Sequence, residues 1–491
     1  MLYFKWLFVL DFYIFTKNKE RRARFLNCAK MFMEIPKNIF RGYDIRGIYP
    51  TEIDREVARK IGLGFATWMK NEGETQIIVG HDNRKSYEDL YAGLSEGILE
   101  TGMNIIDIGF CMTPMSYFAR ELLGVKPSIM ITASHNPKEY NGFKICALGT
   151  DTIYGETIQD LRRFIEKGEF ATSEVKGTVE HRDIRNEYIQ YILDKVKLGD
   201  RKLKVAIDCG NGVGSLFAEE IFTKLGCEVL PVCCESDGDF PIHHPDPSQE
   251  KYMLDFEKFI VDNKCDIGLG FDGDADRVIA FDENGEIWFG DEFMAAIWRD
   301  LMPKYPGAKG ILDVKCTQAL YEEIEKLGGV PEFCKVGSSL IKARIREDNL
   351  IFAGEYAGHI YFNDEHYGYD DAMYSGARLL RILSNTDKKT SELLADFPRY
   401  AGTPEIIVKV TDDTKGIIVE NVKNRFIAEG YKVIDVDGAR VIVGHGWGLV
   451  RYSNTGPNLT IKAESTTEEE ANKIIEQIKE YINDERKNLN V

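Results

Sequence analysis

Three strand-loop-helix units repeat along this chain, and they constrain its fold more than any other feature. In each unit a short apolar run ends at a polar or Gly-rich loop, and the next segment has apolar residues at helical spacing. The predicted strand and helix pairs are 76–79 with 88–101, 204–207 with 217–225, and 310–314 with 318–327. Strands and helices that alternate in this way predict mostly parallel sheets with helices on both faces. Ligand-binding loops of such sheets follow the carboxyl ends of the strands.

The length of the chain indicates more than one domain. Its 491 residues exceed the roughly 250–300 that one hydrophobic core supports, so two to four domains are expected. The polar stretch 384–390 is typical of a linker into a last, smaller α+β unit, whose predicted final helix spans residues 467–485. We place the domain boundaries near residues 180, 286 and 398.

Composition and charge narrow the class of protein. A hydrophobic content of 44% is ordinary for a soluble globular protein. The net charge of −18 argues against nucleic acid as a partner, because a polyanion requires a basic face. The ten cysteines include no Cys-x-x-Cys pair, and we interpret them as reduced thiols of a cytoplasmic protein.

The first 32 residues differ from the rest of the chain in charge and pattern. They contain seven basic and two acidic residues, in contrast to the acidic total. The apolar stretch 1–15 is interrupted by charged side chains, is too short to span a membrane, and lacks the cleavage site of a signal peptide. We therefore interpret residues 1–32 as a non-native or disordered extension, with Met31 or Met33 as the native start, and expect no stable membrane association.

The string ITASHNPKEY, residues 131–140, places a hydroxyl at the exit of a predicted strand. Ser134 follows an apolar run and precedes the turn signal Asn136-Pro137, and Lys144 comes ten residues after it. A serine with a nearby base is a common arrangement for nucleophilic catalysis. The same string fits an ordinary surface turn, because Ser and Asn bond their own backbone.

Three aspartates alternate about 140 residues further on, at Asp272, Asp274 and Asp276. Carboxylates at this spacing repel one another unless a cation lies among them, which favours a hard divalent ion such as Mg²⁺. An EF-hand loop is the alternative, with Glu283 at its twelfth position. Against it, Arg277 stands where that loop needs Gly, and the flanking segments are strand-like. A serine nucleophile, a lysine base and such a trio are the parts of metal-assisted phosphoryl transfer.

Two later loops carry groups that could hold a polar ligand. The string GEYAGH, from Gly354 to His359, places a carboxylate and an imidazole between glycines that permit close approach. The string RYSNTGP, from Arg451 to Pro457, gathers a guanidinium, hydroxyls, an amide and backbone N–H groups that can bind a phosphate dianion. Both compositions are also common in solvated turns, so neither string decides the function alone.

Together and in this order, these strings resemble the α-D-phosphohexomutase superfamily, in the branch that contains phosphomannomutase/phosphoglucomutase. The similarity begins at IFRGYDIRG, residues 39–47, and continues to the loop at Arg451. The resemblance implies three related α/β domains with mixed, mostly parallel sheets and a C-terminal α+β domain around a central cleft. The corresponding ranges are 33–180 with the phosphoserine loop, 181–286 with the metal loop, 287–398 with the sugar-binding loop, and 399–491 with the phosphate-binding loop.

The resemblance also implies an activity and a set of functional residues. The expected enzyme interconverts hexose 1-phosphate and hexose 6-phosphate of mannose, glucose or both through phosphoserine and a sugar bisphosphate, with Mg²⁺ as cofactor and hexose 1,6-bisphosphate as activator. The implied catalytic residues are Ser134, Lys144, His359, Arg277, His135 and Arg46. The implied Mg²⁺ ligands are phosphorylated Ser134, Asp272, Asp274 and Asp276. The implied substrate contacts are Tyr43, Lys335, Glu355, His359, Arg451, Ser453, Asn454 and Thr455.

The implied mechanism makes Lys144 and His359 the candidate general acid and base. To accept a proton Lys144 would need a lowered pKa, which burial or nearby cations could provide. The Arg451 loop would hold whichever phosphate is idle, and Glu355 would hold the C3 and C4 hydroxyls of the sugar.

Other functions compete with this assignment. A phosphoglucosamine mutase, a phosphatase and a non-catalytic phosphosugar-binding protein are the alternatives. Two phosphate sites argue against a phosphatase, and retention of the catalytic groups argues against a binding protein. Two positions depart from the usual pattern, since Ser338 stands where relatives often have His and Gly456 where Glu or Thr is usual. The sequence leaves the oligomeric state open.

Overall fold

The computed structural model describes residues 35–148, 152–453 and 456–489. The predicted extension 1–32 and the phosphate-loop residues Asn454 and Thr455 lie outside this described part of the chain. Within it, the strands form four sheets.

The first unit is a mixed six-stranded sheet with four helices. Its elements are β1 (Ile45–Ile48), α1 (Arg55–Asn71), β2 (Gln76–His81), α2 (Tyr87–Glu100), β3 (Asn104–Phe110), α3 (Thr113–Leu123), β4 (Ser128–Ile131), β5 (Tyr140–Cys146), α4 (Glu156–Lys167) and β6 (Val179–His181). The strand order is β1-β5-β4-β2-β3-β6. Strands β4, β2, β3 and β6 are parallel, and β5 runs antiparallel to β4 and β1.

Successive side chains of β2 pack in two different hydrophobic cores, one on each face of the sheet. Ile77 and Val79 pack with α1, α2 and α4, whereas Ile78 packs on the other face with α3. A strand buried on both faces reads as a continuous apolar run, which is why the sequence QIIVG is a parallel central strand rather than an alternating one.

The second and third units repeat this plan with fewer strands. The second contains α5 (Arg185–Lys195), β7 (Lys204–Asp208), α6 (Ala218–Lys224), β8 (Glu228–Val232), α7 (Leu254–Asn263), β9 (Ile267–Phe271), β10 (Val278–Phe281) and β11 (Ile287–Trp288). The third contains α8 (Gly290–Leu301), β12 (Lys309–Asp313), α9 (Gln318–Lys326), β13 (Val330–Cys334), α10 (Ser338–Glu347), β14 (Phe352–Gly354), β15 (Ile360–Phe362) and α11 (Ala372–Ser384). Short 3-10 helices span Lys37–Ile39, Val213–Leu216, Glu250–Tyr252 and Ser391–Leu394.

The three units share one strand arrangement around a hairpin. Their orders contain β3-β2-β4-β5, β8-β7-β9-β10 and β13-β12-β14-β15. In each, the last strand named is antiparallel and follows its neighbour directly in the chain. The three candidate loops, at Ser134, at Asp272–Asp276 and at Glu355–His359, therefore occupy the same topological position at the carboxyl end of a parallel strand.

The fourth unit is an antiparallel sheet covered by two helices. It contains β16 (Ala401–Gly402), β17 (Ile406–Lys409), α12 (Asp412–Ala428), β18 (Lys432–Ile434), β19 (Ala439–Val443), β20 (Gly446–Tyr452), β21 (Asn458–Ser465) and α13 (Glu468–Leu489). Apolar residues of α12 and α13 join those of β19, β20 and β21 in one separate core. This topology confirms the predicted α+β unit.

The predicted fold class and elements are confirmed by the structure. The three predicted strand-helix pairs each lie within two residues of their observed bounds, and the last helix continues to Leu489. No helix among the described residues is both long enough and apolar enough to cross a membrane.

Candidate active site

Ser134 lies in the β4–β5 hairpin in a backbone conformation that serine rarely adopts. Its φ is +51°, in the left-handed region, which costs roughly 1–2 kcal/mol for a residue with a Cβ. Thr132 Oγ1 accepts the Ser134 N–H at 2.9 Å and helps to hold this conformation. The Ser134 side chain is buried and its hydroxyl donates to Asp272 Oδ2 at 2.8 Å. Strain of this kind at a buried hydroxyl is typical of a functional loop.

Arg84 fixes the shape of this loop through hydrogen bonds to its backbone. Its guanidinium is fully buried and donates to four backbone carbonyls of the hairpin. These are Ser134 O at 2.6 Å, Asn136 O at 2.7 Å, Pro137 O at 2.8 Å and Tyr140 O at 3.0 Å. Asp82 Oδ2 accepts the remaining Nε–H at 3.2 Å and balances the charge. Only the planar fork of an arginine presents five donors in this arrangement.

The aspartate loop approaches the serine loop closely. A Cβ at Gly273 would lie 2.5 Å from Ser134 O, so only glycine permits this approach. Asp272, Asp274 and Asp276 are all buried in the β9–β10 hairpin. The backbone N–H groups of Asp276 and Arg277 both donate to Asp272 Oδ1 at 3.2 Å. The hairpin thus turns the three carboxylates toward one another and toward Ser134.

These carboxylates fit a divalent cation. One oxygen from each of the three lies within 4.8 Å of the others. Asp274 Oδ1 and Asp276 Oδ1 are buried and have no hydrogen-bond partner among the described residues. Burial and the two neighbouring carboxylates raise the pKa of Asp272 well above its ordinary value. Oxygen ligands only, with high negative charge, suit Mg²⁺. The strands that flank the loop exclude the EF-hand alternative, which needs helices.

Lys144 is held by the same carboxylates. It extends from β5, and its Nζ donates to Asp274 Oδ2 at 2.7 Å and also to Asp276. Burial lowers the pKa of Lys144, but the two carboxylates outweigh burial and raise that pKa above its ordinary value. The lowered pKa that a lysine base requires is therefore not found in this arrangement, because its neighbours are anions rather than cations.

His359 is oriented by a buried carboxylate. Arg277 Nε–H donates to His359 Nε2 at 2.9 Å, so Nδ1 carries the proton toward Asp370 Oδ2, 2.9 Å away. Lys342 Nζ donates to the other oxygen of Asp370 at 2.9 Å and to Tyr117 OH at 3.1 Å. Asp370 is fully buried, and the charge of Lys342 together with the contact from His359 holds its pKa below the ordinary value against the effect of burial. A histidine in this setting has a fixed ring and a fixed tautomer.

Arg46 and His135 contact the hairpin that carries the serine. Arg46 Nη1 donates to Asn136 Oδ1 at 2.7 Å, next to the serine in the hairpin. His135 Nδ1 lies 3.2 Å from Ser134 Oγ. Burial and the nearby guanidinium groups of Arg277 and Arg46 lower the pKa of His135 well below its ordinary value, so this imidazole is neutral.

Glu355 lies on the third hairpin, four residues before His359. Its Oε1 accepts the Gly337 N–H at 2.7 Å, and Tyr361 OH donates to its Oε2 at 3.2 Å. Tyr43 OH donates to Val336 O at 2.6 Å, which brings the first unit against the same turn. Lys335, at the start of this turn, is exposed.

Arg451 connects the fourth unit to that turn. Its Nε donates to Asp437 Oδ2 at 2.9 Å, and the Val336 N–H donates to the same oxygen at 3.2 Å. Ser453 ends the described part of the loop, where Lys415 Nζ donates to its carbonyl at 3.0 Å. The loop at Arg451 therefore faces the same turn as Tyr43 and Glu355.

The structure thus forms two groups of the predicted residues and adds supporting residues that sequence reasoning missed. One group surrounds Ser134 and the aspartates, and the other surrounds the turn at residues 335–337. Arg84, Asp370 and Asp437 were missed because none of them is adjacent in sequence to the residue on which it acts. The sequence signal for such a supporting residue is a charged side chain within a predicted buried segment. This signal does not identify the residue on which the charge acts.

Comparison with known proteins agrees with this architecture. The sequence matches the description phosphoglucomutase/phosphomannomutase alpha/beta/alpha domain I over residues 37–172, domain II over 186–285, domain III over 289–400, and the C-terminal domain over 387–481.

Individual relatives cover nearly the whole chain. A phosphomannomutase/phosphoglucomutase of Pseudomonas aeruginosa is 40% identical over 440 residues, which is 90% of this chain and 94% of that protein. A phosphoglucomutase of Neisseria meningitidis is 39% identical over 450 residues, 91% of this chain and 97% of that protein. The crystal structure of a phosphoglucomutase/phosphomannomutase family protein from Burkholderia thailandensis superposes with a TM-score of 0.86 at 35% identity, covering 92% of this chain and 98% of that one. The chain belongs to the phosphoglucomutase/phosphomannomutase family.

Proposed function

We propose that this enzyme interconverts the 1-phosphates and 6-phosphates of mannose and glucose through a phosphorylated Ser134. The observation that supports this most is the 2.8 Å hydrogen bond from Ser134 Oγ to Asp272 within the buried carboxylate trio. A serine placed there can carry a phosphoryl group whose oxygen completes a cation site. Phosphoryl transfer needs such positioning and charge compensation more than it needs covalent chemistry from the protein.

The proposed reaction has two phosphoryl transfers. In the first, the free hydroxyl of a sugar monophosphate attacks phosphorus on Ser134, the bond from phosphorus to Oγ breaks, and a sugar bisphosphate forms. The bisphosphate then turns end for end, and Ser134 Oγ takes the other phosphate. The hydroxyl proton lost in the first transfer is returned in the second. Hexose 1,6-bisphosphate would accordingly act as an activator, because it can phosphorylate a Ser134 that has lost its phosphate.

Asp272, Asp274 and Asp276 would hold Mg²⁺ together with a phosphoryl oxygen. When bound, the ion offsets negative charge on the phosphoryl group in transfer. Arg277 lies 3.8 Å from Asp272 Oδ2 and adds a second positive charge beside Ser134. These charges are fixed before the reaction, so little reorganisation is needed during transfer.

His359 is the better-placed candidate for the base. Its tautomer places the lone pair on Nε2, which accepts the Arg277 Nε–H in this arrangement, so His359 would take a proton once that guanidinium turns to the phosphoryl group. Asp370 would then stabilise the charge that forms on the ring. Lys144, whose pKa is raised, suits the role of a proton donor or of a fixed positive charge. The idle phosphate would bind to Arg451, Ser453, Asn454 and Thr455, and the sugar ring to Glu355.

Arg84→Lys is predicted to lower kcat by roughly 100-fold while the protein stays folded. A lysine keeps the charge but cannot serve four carbonyls at once, so the Ser134 loop loses its fixed shape, and misplacement of a reacting group by 1 Å has this order of effect. Steady-state kinetics and a thermal melt measure the two quantities. The matched control is Arg55→Lys, at an exposed ion pair with Glu96, which should leave kcat unchanged. An Arg84→Lys enzyme with wild-type kcat would show that the loop keeps its shape without the guanidinium.

Coupled assays of the purified enzyme on three sugar phosphates test the substrate assignment. Glucose and mannose differ at C2, whereas Glu355 is proposed to hold the C3 and C4 hydroxyls. We therefore expect kcat/KM values within about one to two orders of magnitude for glucose 1-phosphate and mannose 1-phosphate, as for sites that lack a dedicated hydrogen bond. Glucosamine 1-phosphate also differs at C2, and we expect it to be much poorer because the relatives of this chain are phosphomannomutase/phosphoglucomutase enzymes, not because Glu355 could reject it. A clear preference for glucosamine 1-phosphate would contradict the sugar assignment and leave the mutase mechanism in place.

A further inference from the structure

A second set of metal-ligand side chains lies in the second unit, apart from the aspartate trio. Asp208 is the last residue of β7, Cys233 follows the end of β8, and His243 lies in the loop between β8 and α7. One ligand atom of each lies within 4.8 Å of the others. Parallel pairing of β7 with β8, with Asp208 opposite Val232, is what brings the first two together.

The histidine of this cluster is oriented as a ligand would be. His243 Nε2 lies 3.2 Å from both Asp208 oxygens, and its Nδ1 lies 2.9 Å from the His244 carbonyl oxygen. A hydrogen bond from Nδ1 to a backbone carbonyl leaves the Nε2 lone pair directed at the carboxylate. This second-shell arrangement is common for metal-bound histidines. Without a cation, Nε2 must itself carry a proton there.

The cysteine is held toward the same point at a conformational cost. Cys233 has a φ of +49°, which is unfavourable for a residue with a Cβ. The Asn211 N–H donates to the Cys233 carbonyl at 2.8 Å and helps to fix this conformation. Asp208 is buried, but Cys233 is half-buried and the His243 side chain is 14% exposed, so an ion can reach the cluster from solvent.

We propose that Asp208, Cys233 and His243 bind a thiophilic divalent metal ion of the Zn²⁺ type. One carboxylate, one thiolate and one imidazole form a donor set typical of zinc, with a fourth position for water, whereas Mg²⁺ disfavours sulfur. Binding displaces the thiol proton of Cys233 and any proton on His243 Nε2, and these protons pass to solvent. The competing interpretation is a metal-free ion pair between His243 and Asp208.

Metal binding at this cluster would affect the serine and aspartate loops, because hydrogen bonds connect those loops to the segment that follows Asp208. The segment that follows Asp208 donates from Val213 N–H to Gly273 O at 3.0 Å. Asn83 Nδ2, in the first unit, donates to Asn211 O at 2.7 Å. An ion that fixes Asp208 to β8 and to the His243 loop would therefore hold in place the segment that hydrogen-bonds to Gly273. We expect a higher melting temperature for the protein with bound metal.

Cobalt substitution tests the site without relying on activity. The full-length protein is treated with a chelator, returned to saturating Mg²⁺ so that the aspartate trio is occupied, and titrated with Co²⁺. We expect one equivalent to produce a thiolate-to-cobalt charge-transfer band, which Zn²⁺ displaces. Cys233→Ser should lose the band, and both Cys233→Ser and His243→Gln should weaken Zn²⁺ binding by at least about tenfold, the scale at which even outer-shell changes act.

Two controls separate this site from its neighbours. Cys234 Sγ lies 3.4 Å from Cys209 Sγ, so Cys234→Ser tests whether that thiol pair supplies the band, and it should leave the band unchanged. Asp272→Asn should also leave it unchanged, because the aspartate trio contributes no sulfur. The proposal is overturned if wild type shows no thiolate band, if the band persists in folded Cys233→Ser, or if Cys234→Ser removes it.

Discussion

Replacing Ser134 by Ala is expected to abolish turnover and to leave the fold intact. Thr113 and Thr132 also place hydroxyls at the trio, but both donate to Asp274, whereas the Ser134 hydroxyl donates to Asp272. Loss of Ser134 therefore removes the proposed covalent step, and losses of roughly 10⁴- to 10⁶-fold are typical when an enzyme loses its nucleophile. The deleted hydroxyl contacts two side chains, Asp272 and His135, and Ala removes no apolar packing, which limits the effect on stability. Steady-state assays and thermal melts measure both quantities.

A phosphate assay on the wild-type protein completes this test. Mass spectrometry should find about 80 Da of added phosphate on the peptide that contains Ser134, and none there in the Ala variant. Ser95→Ala, at a buried serine of α2, is the matched control and should retain full activity. A fully active Ser134→Ala enzyme, or phosphate confined to another residue, would refute the proposed intermediate.

Removing the metal is expected to stop the reaction, and so is Asp272→Asn. A bound cation supplies several kcal/mol of charge stabilisation in phosphoryl transfer, which corresponds to roughly 10³-fold or more in rate. A chelator should therefore abolish activity and Mg²⁺ should restore it. Asp272→Asn should lose activity to a similar extent at saturating Mg²⁺, whereas Asp262→Asn, on the exposed face of α7, should not.

Although Asp272→Asn should lose activity, we expect it to stabilise the metal-free fold. Burial and two neighbouring carboxylates raise the pKa of Asp272 in the folded state. A carboxyl group with a raised folded pKa stabilises the fold below its unfolded pKa of about 4, and this contribution is lost as pH rises through the folded pKa. In chelator at neutral pH, Asp272→Asn should therefore melt higher than wild type, and Mg²⁺ should reverse the order. A variant less stable than wild type in chelator would show that the carboxylate is not strained by its neighbours.

Local patterns in the sequence determined the elements and the residue types of the site. The strand-like segment 266–271 and the carboxylates that follow it predict a strand and a metal loop from adjacent residues alone; the strand is found over 267–271, and the three carboxylates lie close together after it. The helix predicted over 318–327 and found over 318–326, and the strand over 278–281, follow from periodicity and side-chain type in the same way. Such signals are contained within a few turns or residues of chain, so no partner from elsewhere is needed to produce them. The extension 1–32 stays a prediction.

Tertiary packing decided what these residues do to one another. The charge state of Lys144 depends on carboxylates 130 and 132 residues away, and these reverse the shift that burial alone would give. Arg84 shapes a loop about fifty residues further along the chain, and Asp370, which precedes α11, fixes the ring of His359 in the β14–β15 hairpin. Cys233 lies beside Asp208 because β7 and β8 pair in parallel, and the loop that follows β8 brings His243 back to the same carboxylate. A pKa, a tautomer and a ligand set depend on distances between atoms, and those distances are set by how the sheets pack rather than by neighbours in sequence.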